Sequence, residues 1–337
     1  MMTYLIVSEY LKDKRIKNYF KDKKWLELKK GKNLTLLYLD SMNIYKSKYY
    51  TYKPFIRNLM GDEKHNLSNK SNLSYCVSQK YLMNYHNFNI EDDIEKYNII
   101  FKNKTYILKP SKGREGIGIK IVRNFDEFKN FFEKEFKTIN FKKIKDLDKW
   151  VIQEYIETPM LFMKRKFHLR VYFLIFDKEI FYFTKFIIAT AAKEYRNSDY
   201  EDIDIHDSHY NEKSIRDKIF PEDFNIYGDI EKDEKLIIKI NKQVNDMFID
   251  VKKNINLPIK CYPGDKNCYE NFAVDIMVTE DEKIKVLEFN NSIGVQGQQS
   301  LENKGYPLFE NQLDIVLSHY NLINANNIKG DNYFQKI

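Results

Sequence analysis

Residues 150–188 hold three runs rich in β-branched and aromatic side chains, 150–156, 167–176 and 180–188, with only short polar breaks between them. Such runs favour extended backbone. Two further pairs of short apolar runs are joined closely enough to be hairpins: 105–108 with 119–122 across a glycine-bearing turn, and 272–278 with 283–289 across 279–282. Helical periodicity appears elsewhere. Phe125, Phe128, Phe131, Phe132 and Phe136 recur at a spacing near 3.6, and Leu236, Ile237, Ile240, Val244, Met247, Phe248 and Val251 fall on one face of a long helix. Shorter helices are expected over 77–85 and 310–322. The layout is α+β with mostly antiparallel sheets.

A chain of 337 residues with 43% apolar residues can bury a large core and divide into two or three subdomains. Charged residues make up 31%, and no stretch approaches the roughly 18–20 apolar residues that span a bilayer. The N-terminal apolar patch lacks the basic flank and small-residue cleavage site of a signal peptide. Three cysteines, Cys76, Cys261 and Cys268, are too few and odd in number for a disulfide scaffold, and point to the cytoplasm. Charge is uneven: residues 1–60 carry 14 Lys/Arg against 5 Asp/Glu, and 199–234 carry 13 Asp/Glu against 4 Lys/Arg. The basic part suits an acidic partner, or is simply a solvated surface. Without a zinc pattern or an RNA-recognition signature, the lysine bias argues little for nucleic acid. The polar stretch 61–74 reads as a linker or a long loop, 193–234 as a long and partly mobile loop, and the segment after Asn324 as a polar tail.

Three constellations carry chemistry. In the first, Lys109 ends a strand and Ser111, Gly113, Gly116 and Gly118 follow in the turn. Glycines let backbone N–H groups approach a phosphate, and a lysine at the strand end adds a point charge. An ordinary hairpin turn has the same composition. No Gly-Lys-Ser/Thr opens a helix, so this is not a Walker loop. In the second, Asp275 lies on one strand of a hairpin while Glu288 and Asn290, two apart, share a face of the other. Two carboxylates and an amide oxygen are hard ligands suited to Mg²⁺ with substrate phosphates. Glu288 lies in an apolar run, where an uncompensated charge is costly. In the third, Lys164, Arg165, Lys166 and Arg170 cluster beside a buried strand, with Lys166, His168 and Arg170 on one alternating face, a pattern for anion binding or for the wet side of an edge strand. Gln153, Glu154 and Ile156 precede it at a strand end whose exposed backbone could read an adenine edge.

In this order the pieces resemble the ATP-grasp fold, and within it the tubulin–tyrosine ligase family, over roughly residues 70 to 320. The resemblance rests on the lysine-serine-glycine turn at 109–118, the hinge Val151-Ile152-Gln153-Glu154-Tyr155-Ile156, the strand 165–170 and the terminal Glu288-Phe289-Asn290. Ser78-Gln79-Lys80 is similar to the family's Arg-Lys helix start. Two departures stand out. His168 occupies a position where many members carry an acid. The register of a family arginine falls near Ala189, with Lys185 or Lys193 as possible substitutes. His206-Asp207-Ser208-His209 loosely replaces a His-Leu-Thr-Asn segment, and its two histidines offer too few ligands for a structural zinc site.

The resemblance implies an ATP-grasp fold with a small N-terminal α/β subdomain (1–70), a central subdomain bearing the glycine turn (71–149), a C-terminal subdomain bearing the metal hairpin (150–324) and the tail (325–337). It also implies an ATP-dependent ligase, monomeric and away from membranes, that joins an amino acid to a carboxylate of an acidic protein such as a tubulin tail, through an acyl phosphate. ATP would bind at Lys109, Ser111, Gly113, Gly116, Gly118, Gln153, Glu154, Ile156 and Lys166. Mg²⁺ would bind at Asp275, Glu288 and Asn290, with Arg170, Lys166 and Glu288 in catalysis. Two alternatives stay open: a ligase of small carboxylates and amines, and a catalytically weakened relative that binds nucleotide or an acidic protein.

Overall fold

The computed structural model describes residues 2–7, 14–27, 36–39, 56–57, 67–89, 91–102, 104–111, 118–135, 149–208, 213–255, 269–290, 295–323 and 332–337. Four short strands, β1 (Thr3–Val7), β2 (Leu26–Glu27), β3 (Leu36–Leu39) and β4 (Ile56–Arg57), form a wholly parallel sheet in the order β2-β1-β3-β4. The helix Lys14–Asp22 makes the crossover between β1 and β2 that a parallel pair requires. Its Phe20 stacks on Tyr4 with centroids 4.3 Å apart.

A second sheet is antiparallel, in the order β5-β8-β6-β7, from β5 (Tyr85–Asn89), β6 (Tyr106–Pro110), β7 (Lys120–Val122) and β8 (Lys149–Glu154). Alternation divides its faces. Tyr106, Leu108, Trp150 and Ile152 point into a core shared with Phe88, Phe128 and Phe132, while Ile107, Lys109 and Gln153 face the other way, into a cleft. The helix Phe125–Asn130 starts where the Asn124 side chain accepts the Glu127 N–H, and one wider turn, Phe131–Glu135, extends it.

The third sheet has eight strands: β9 (Leu161–Phe162), β10 (Arg165–Phe176), β11 (Glu179–Phe183), β12 (Phe186–Thr190), β13 (Lys218–Phe220), β14 (Tyr269–Val278), β15 (Ile284–Asn290) and β16 (Phe334–Lys336). β10 is its spine. β14 pairs along one edge, and β11 and β12 lie in line along the other. Odd-numbered residues of β10, Phe167 to Ile175, pack under the long helix Ile230–Asn254, whose Leu236, Ile240, Val244, Met247, Phe248 and Val251 are all buried there. On the even-numbered face the chemistry changes halfway. Leu174 and Phe176 pack with Tyr4, Phe20 and the helix Leu308–His319, whereas Lys166 and His168 line the cleft. No helix among the described residues is long and apolar enough to cross a membrane.

The α+β, mostly antiparallel layout is as expected, with four local corrections. The 77–85 segment is not a helix. A short helix, Leu73–Cys76, and the turn Gln79–Tyr81 lead into β5, which completes the second sheet. The 180–188 run splits into β11 and β12 at Thr184, whose N–H turns aside to the Tyr333 carbonyl, 2.9 Å away. The acidic stretch 193–234 contains the helix Ile203–His206, β13 and the start of the long helix. Several of its carboxylates accept backbone N–H groups: Asp223 from Ile219 at 2.8 Å, Asp229 from Lys232 at 3.1 Å, and Asp233 from Ile226 at 2.9 Å. Local structure therefore explains much of its acidity. The end of the polar tail is β16, zipped onto β11.

Phe173 is central to the larger core, with its ring centroid 5.1 Å from Phe248, 5.2 Å from Phe272 and 5.8 Å from Phe289. Phe173→Ala should lower the unfolding free energy by about 3–5 kcal/mol. Ile238→Ala, on the outer face of the long helix at 67% exposure, should change it by less than about 0.5 kcal/mol. Urea midpoints of the two variants check this.

Candidate active site

The cleft lies between the second and third sheets, and the alternation of each strand decides what enters it. From β6 and β8 come Ile107, Lys109 and Gln153; from β10 come Lys166 and His168; from β14 come Asp275 and Met277; from β15 come Leu287 and Glu288. On β15 regular alternation from Ile284 and Val286 would turn Glu288 into the apolar core. A β-bulge intervenes, with Asp275 opposite Glu288 but the next residue, Ile276, opposite Val286. The extra residue shifts the parity, so Phe289 packs in the core and Glu288 reaches the cleft. This is how a carboxylate lies within an apolar run without being stranded.

Arg170, Asp275 and Glu288 form one rung across three strands. Arg170 donates both Nε–H and Nη2–H to Asp275, at 2.8 and 2.7 Å. The Asn290 amide donates to Asp275 Oδ2 at 2.9 Å, and His168 Nε2 lies 3.5 Å from Oδ1. Burial pushes the Asp275 carboxyl upward, but Arg170 foremost, and then His168, outweigh it and hold the group below its usual range. His168 Nδ1 contacts the Ser208 hydroxyl at 2.6 Å. Tyr172, two residues beyond Arg170, keeps its hydroxyl buried with no hydrogen-bond partner among the described residues.

The cations of the cleft are held at a cost. Lys109 donates to Gln153 Oε1 at 2.9 Å. Burial pushes its ammonium down to about 8, against the pull of Glu288 and with the help of Lys70. Lys166 is 3% exposed, and burial, reinforced by Lys109, drives it well below the lysine range. Its ammonium stands 3.8 Å over the Tyr155 ring and 5.8 Å from that of Tyr195. His206 completes this wall. Its Nε2 donates to the Asp199 carbonyl at 2.7 Å, which leaves Nδ1 to accept the Tyr155 hydroxyl at 2.8 Å. A cleft with several cations compressed in it is arranged for an anion.

Not every expected site residue faces this space. Gly113 and Gly116 lie outside the described residues, as do His209, Cys261 and Cys268. Ser111 is tied back: its hydroxyl donates to Asn69 and its N–H to the Lys149 carbonyl at 2.9 Å. Gly118 serves the backbone. At φ +80° it lies in the left-handed region, and a Cβ there would stand 3.1 Å from Pro110 and 3.3 Å from Trp150. The expected open hinge is partly spent, since the Glu154 and Tyr155 N–H groups donate to the Asn84 and Thr105 carbonyls at 2.7 and 2.8 Å. The Glu154 carboxylate binds Lys104 and Asn84. Lys164 sits in a turn at φ +60°, and Arg165 donates to the Lys213 carbonyl at 2.8 Å, so neither joins Lys166.

Ala189 stands opposite His168 and is buried. The suggested substitutes are engaged elsewhere, Lys185 with Glu222 and Lys193 with Asp202. Instead Arg216, from the segment before β13, comes to the cluster. It donates to the Ser208 carbonyl at 2.8 Å, and burial and Arg170 depress its pKa. A second residue missed in the sequence is Lys70, whose ammonium lies 2.7 Å from Glu288 Oε2. No spacing rule ties either residue to the site.

No three His, Cys, Asp or Glu side chains among the described residues gather into a metal-holding cluster. The donor set of Asp275, Glu288 and the Asn290 amide is nonetheless all oxygen, on adjacent strands, and fits a hard cation such as Mg²⁺ that shares its shell with phosphate and water.

Removing Arg170 alone leaves a buried carboxylate uncompensated. Arg170→Met should therefore cost about 3–5 kcal/mol of stability, and adding Asp275→Leu should restore part of it. Because the folded-state pKa of Asp275 is depressed, its contribution is whole above the ordinary carboxylate range near 4 and is lost as pH falls through the lower folded value. Denaturant unfolding of the two variants, at neutral and acid pH, reads both effects.

The sequence model of the tubulin-tyrosine ligase family matches residues 38–317. The probable tubulin–tyrosine ligase PBY1 of Saccharomyces cerevisiae is 25% identical over 228 residues, 56% of this chain and 30% of that protein. Tubulin polyglutamylase TTLL6 of Mus musculus is 25% identical over 236 residues, 63% of this chain and 26% of that protein. Tubulin polyglutamylase TTLL7 of Mus musculus is 38% identical over 74 residues, 22% of this chain and 6% of that protein. The chain thus spans less than a third of the length of each of these relatives. With the family match covering most of the sequence and the ATP-grasp layout of its sheets, the chain belongs to the tubulin-tyrosine ligase family.

Proposed function

We propose that this protein is an ATP-dependent ligase that adds an amino acid to a carboxylate of an acidic protein, tubulin being the acceptor that the relatives' names suggest. One observation supports the reading above the others. Lys109 from the second sheet and Lys166 from the third enter the same cleft as the oxygen set of Asp275 and Glu288, as a metal–triphosphate needs. Apolar side chains, Ile107, Met83, Met277 and Leu287, offer a bed for a planar base beside Ile156. In the reaction the γ-phosphoryl group passes from ATP to an acceptor carboxylate oxygen, giving an acyl phosphate and ADP. The amino group of the amino acid then attacks the acyl carbon, phosphate leaves with the electron pair of its C–O bond, and the amine proton goes to solvent.

Little covalent work falls to the protein. Lys109, oriented by Gln153, and Lys166, poised over Tyr155, grip phosphate oxygens. Arg170 holds Asp275 in place, and its charge would stabilise the transferring group. Asp275, Glu288 and Asn290 would hold Mg²⁺, which neutralises phosphate charge and acts as a Lewis acid. A relative that binds nucleotide without turnover is the rival reading, favoured by His168 in place of the acid common in the family.

Calorimetry should find ATP binding that requires Mg²⁺. Glu288→Gln should cut ligation about 10²-fold or more and shift the melting temperature by only a few degrees. Near-normal turnover in that variant would remove the metal assignment, and ATP binding without turnover in the native protein would favour the rival.

The acceptor would dock on the basic N-terminal part. Lys17 and Lys21 lie on exposed positions of the helix Lys14–Asp22. Charge reversal of Lys12, Lys14, Lys17 and Lys21 should raise KM for the protein acceptor and leave KM for ATP unchanged. The acceptor KM should also rise with salt, because exposed charges are screened over about 8–10 Å. An acceptor KM that responds to neither change favours a small-molecule acceptor.

A further inference from the structure

The Lys70–Glu288 pair joins distant parts of the chain inside the cleft. The ammonium lies 2.7 Å from Oε2, with the lysine side chain 15% and the glutamate side chain 11% exposed. Lys70 begins the short turn Lys70–Asn72, and that turn is firmly seated. Lys70 N–H donates to the Ser111 carbonyl at 3.2 Å. Asn69 Oδ1 accepts the Ser71 N–H at 3.1 Å and the Ser71 hydroxyl at 2.8 Å, together with the Ser111 hydroxyl. The backbone is therefore anchored to the first residue of the glycine-bearing segment, while the ammonium sits at the end of a flexible four-carbon stem.

Its partner is not an arbitrary carboxylate. Glu288 stands directly opposite Asp275 in the strand register, and Asp275 already has a full cationic partner in Arg170. Of the two acids in the proposed metal set, one is neutralised by an arginine locked in a planar fork, the other by a lysine that can swing. A divalent cation on Glu288 and the Lys70 ammonium would compete for one carboxylate at close range, where like charges repel strongly. The Lys109 and Lys166 ammoniums in the same cleft add to that repulsion.

We propose that Lys70 is a tethered place-holder cation: it neutralises Glu288 while the cleft is empty and is displaced when a divalent metal arrives with nucleotide phosphate. The inference rests on the nucleotide–metal reading of the cleft and adds to it an internal competitor that sets how much metal the site demands. Lys70 is a positioning residue in this scheme. It holds Glu288 in place through the ion pair before the metal is present.

The test uses Mg²⁺ with ADP, which avoids turnover. Calorimetric titration of Mg²⁺–ADP into the protein should show binding about tenfold tighter in Lys70→Met than in the native protein, with Lys70→Arg close to native. The metal-free melting temperature of Lys70→Met should fall, because Glu288 loses its counter-charge. An ordinary structural ion pair predicts the same fall but unchanged or weaker Mg²⁺ binding, and that result overturns the proposal. In the native protein with ¹⁵N-labelled lysine, the Lys70 Nζ resonance should shift when Mg²⁺ and ADP are added together. A resonance that stays in place while they bind overturns the proposal even if Lys70→Met does not fold. Absence of any Mg²⁺–ADP binding to the native protein is a different outcome, and would sink the nucleotide reading itself.

Discussion

The contact on which the rest depends is the two-pronged ion pair between Arg170 and Asp275. The residues face each other in the β10–β14 register, and Asp275 faces Glu288 in the next. A one-residue slip of β10 against β14 would send every even-numbered side chain of β10 to the opposite face. Lys166, His168 and Arg170 would then enter the apolar core, and Phe167, Leu169 and Val171 the cleft. The pair is thus better understood as a device that penalises wrong registers than as a source of net stability, since taking two charges out of water offsets most of their attraction.

Around that rung the molecule concentrates positive charge. Lys70, Lys109, Lys166, Arg170 and Arg216 converge near Asp275 and Glu288, and burial depresses the pKa of Lys109, Lys166 and Arg216. Groups held this far from their solution behaviour need support, which the aromatic wall of Tyr155, Tyr195, Tyr200 and His206 supplies through ring contacts and the Tyr155–His206 hydrogen bond. The large cores behind the sheets, under the long helix and against the C-terminal helix, let a site of this kind persist in a marginally stable fold.

The departures from the family pattern become physically coherent in three dimensions. Ala189 lies buried opposite His168 and adds no charge, while a guanidinium enters from another element through Arg216. His168 links Ser208 to the flank of Asp275, so the segment carrying Ser208 and Arg216 is tied to the same rung. The positive charge of this corner comes from Arg170 and Arg216 and not from position 189.

What the sequence determined alone was whatever repeats at the period of its own backbone. Alternation on β10 put Lys166, His168 and Arg170 on one face, the spacing of two paired Glu288 with Asn290, and the 3.6 repeat of Leu236 to Val251 defined the long helix; each is legible because side-chain direction follows local geometry. Tertiary structure alone decided which of those faces met. The β15 bulge that brings Glu288 out of the core is set by how β15 pairs with β14. Within 193–234, which reads as a mobile acidic loop, the carboxylates of Asp223 and Asp229 accept backbone N–H groups that composition does not reveal. β16 and the seats of Lys70 and Arg216 depend on elements far away in the chain. Contacts of that kind arise from packing complete sheets and helices against one another, and no spacing within a single segment encodes them.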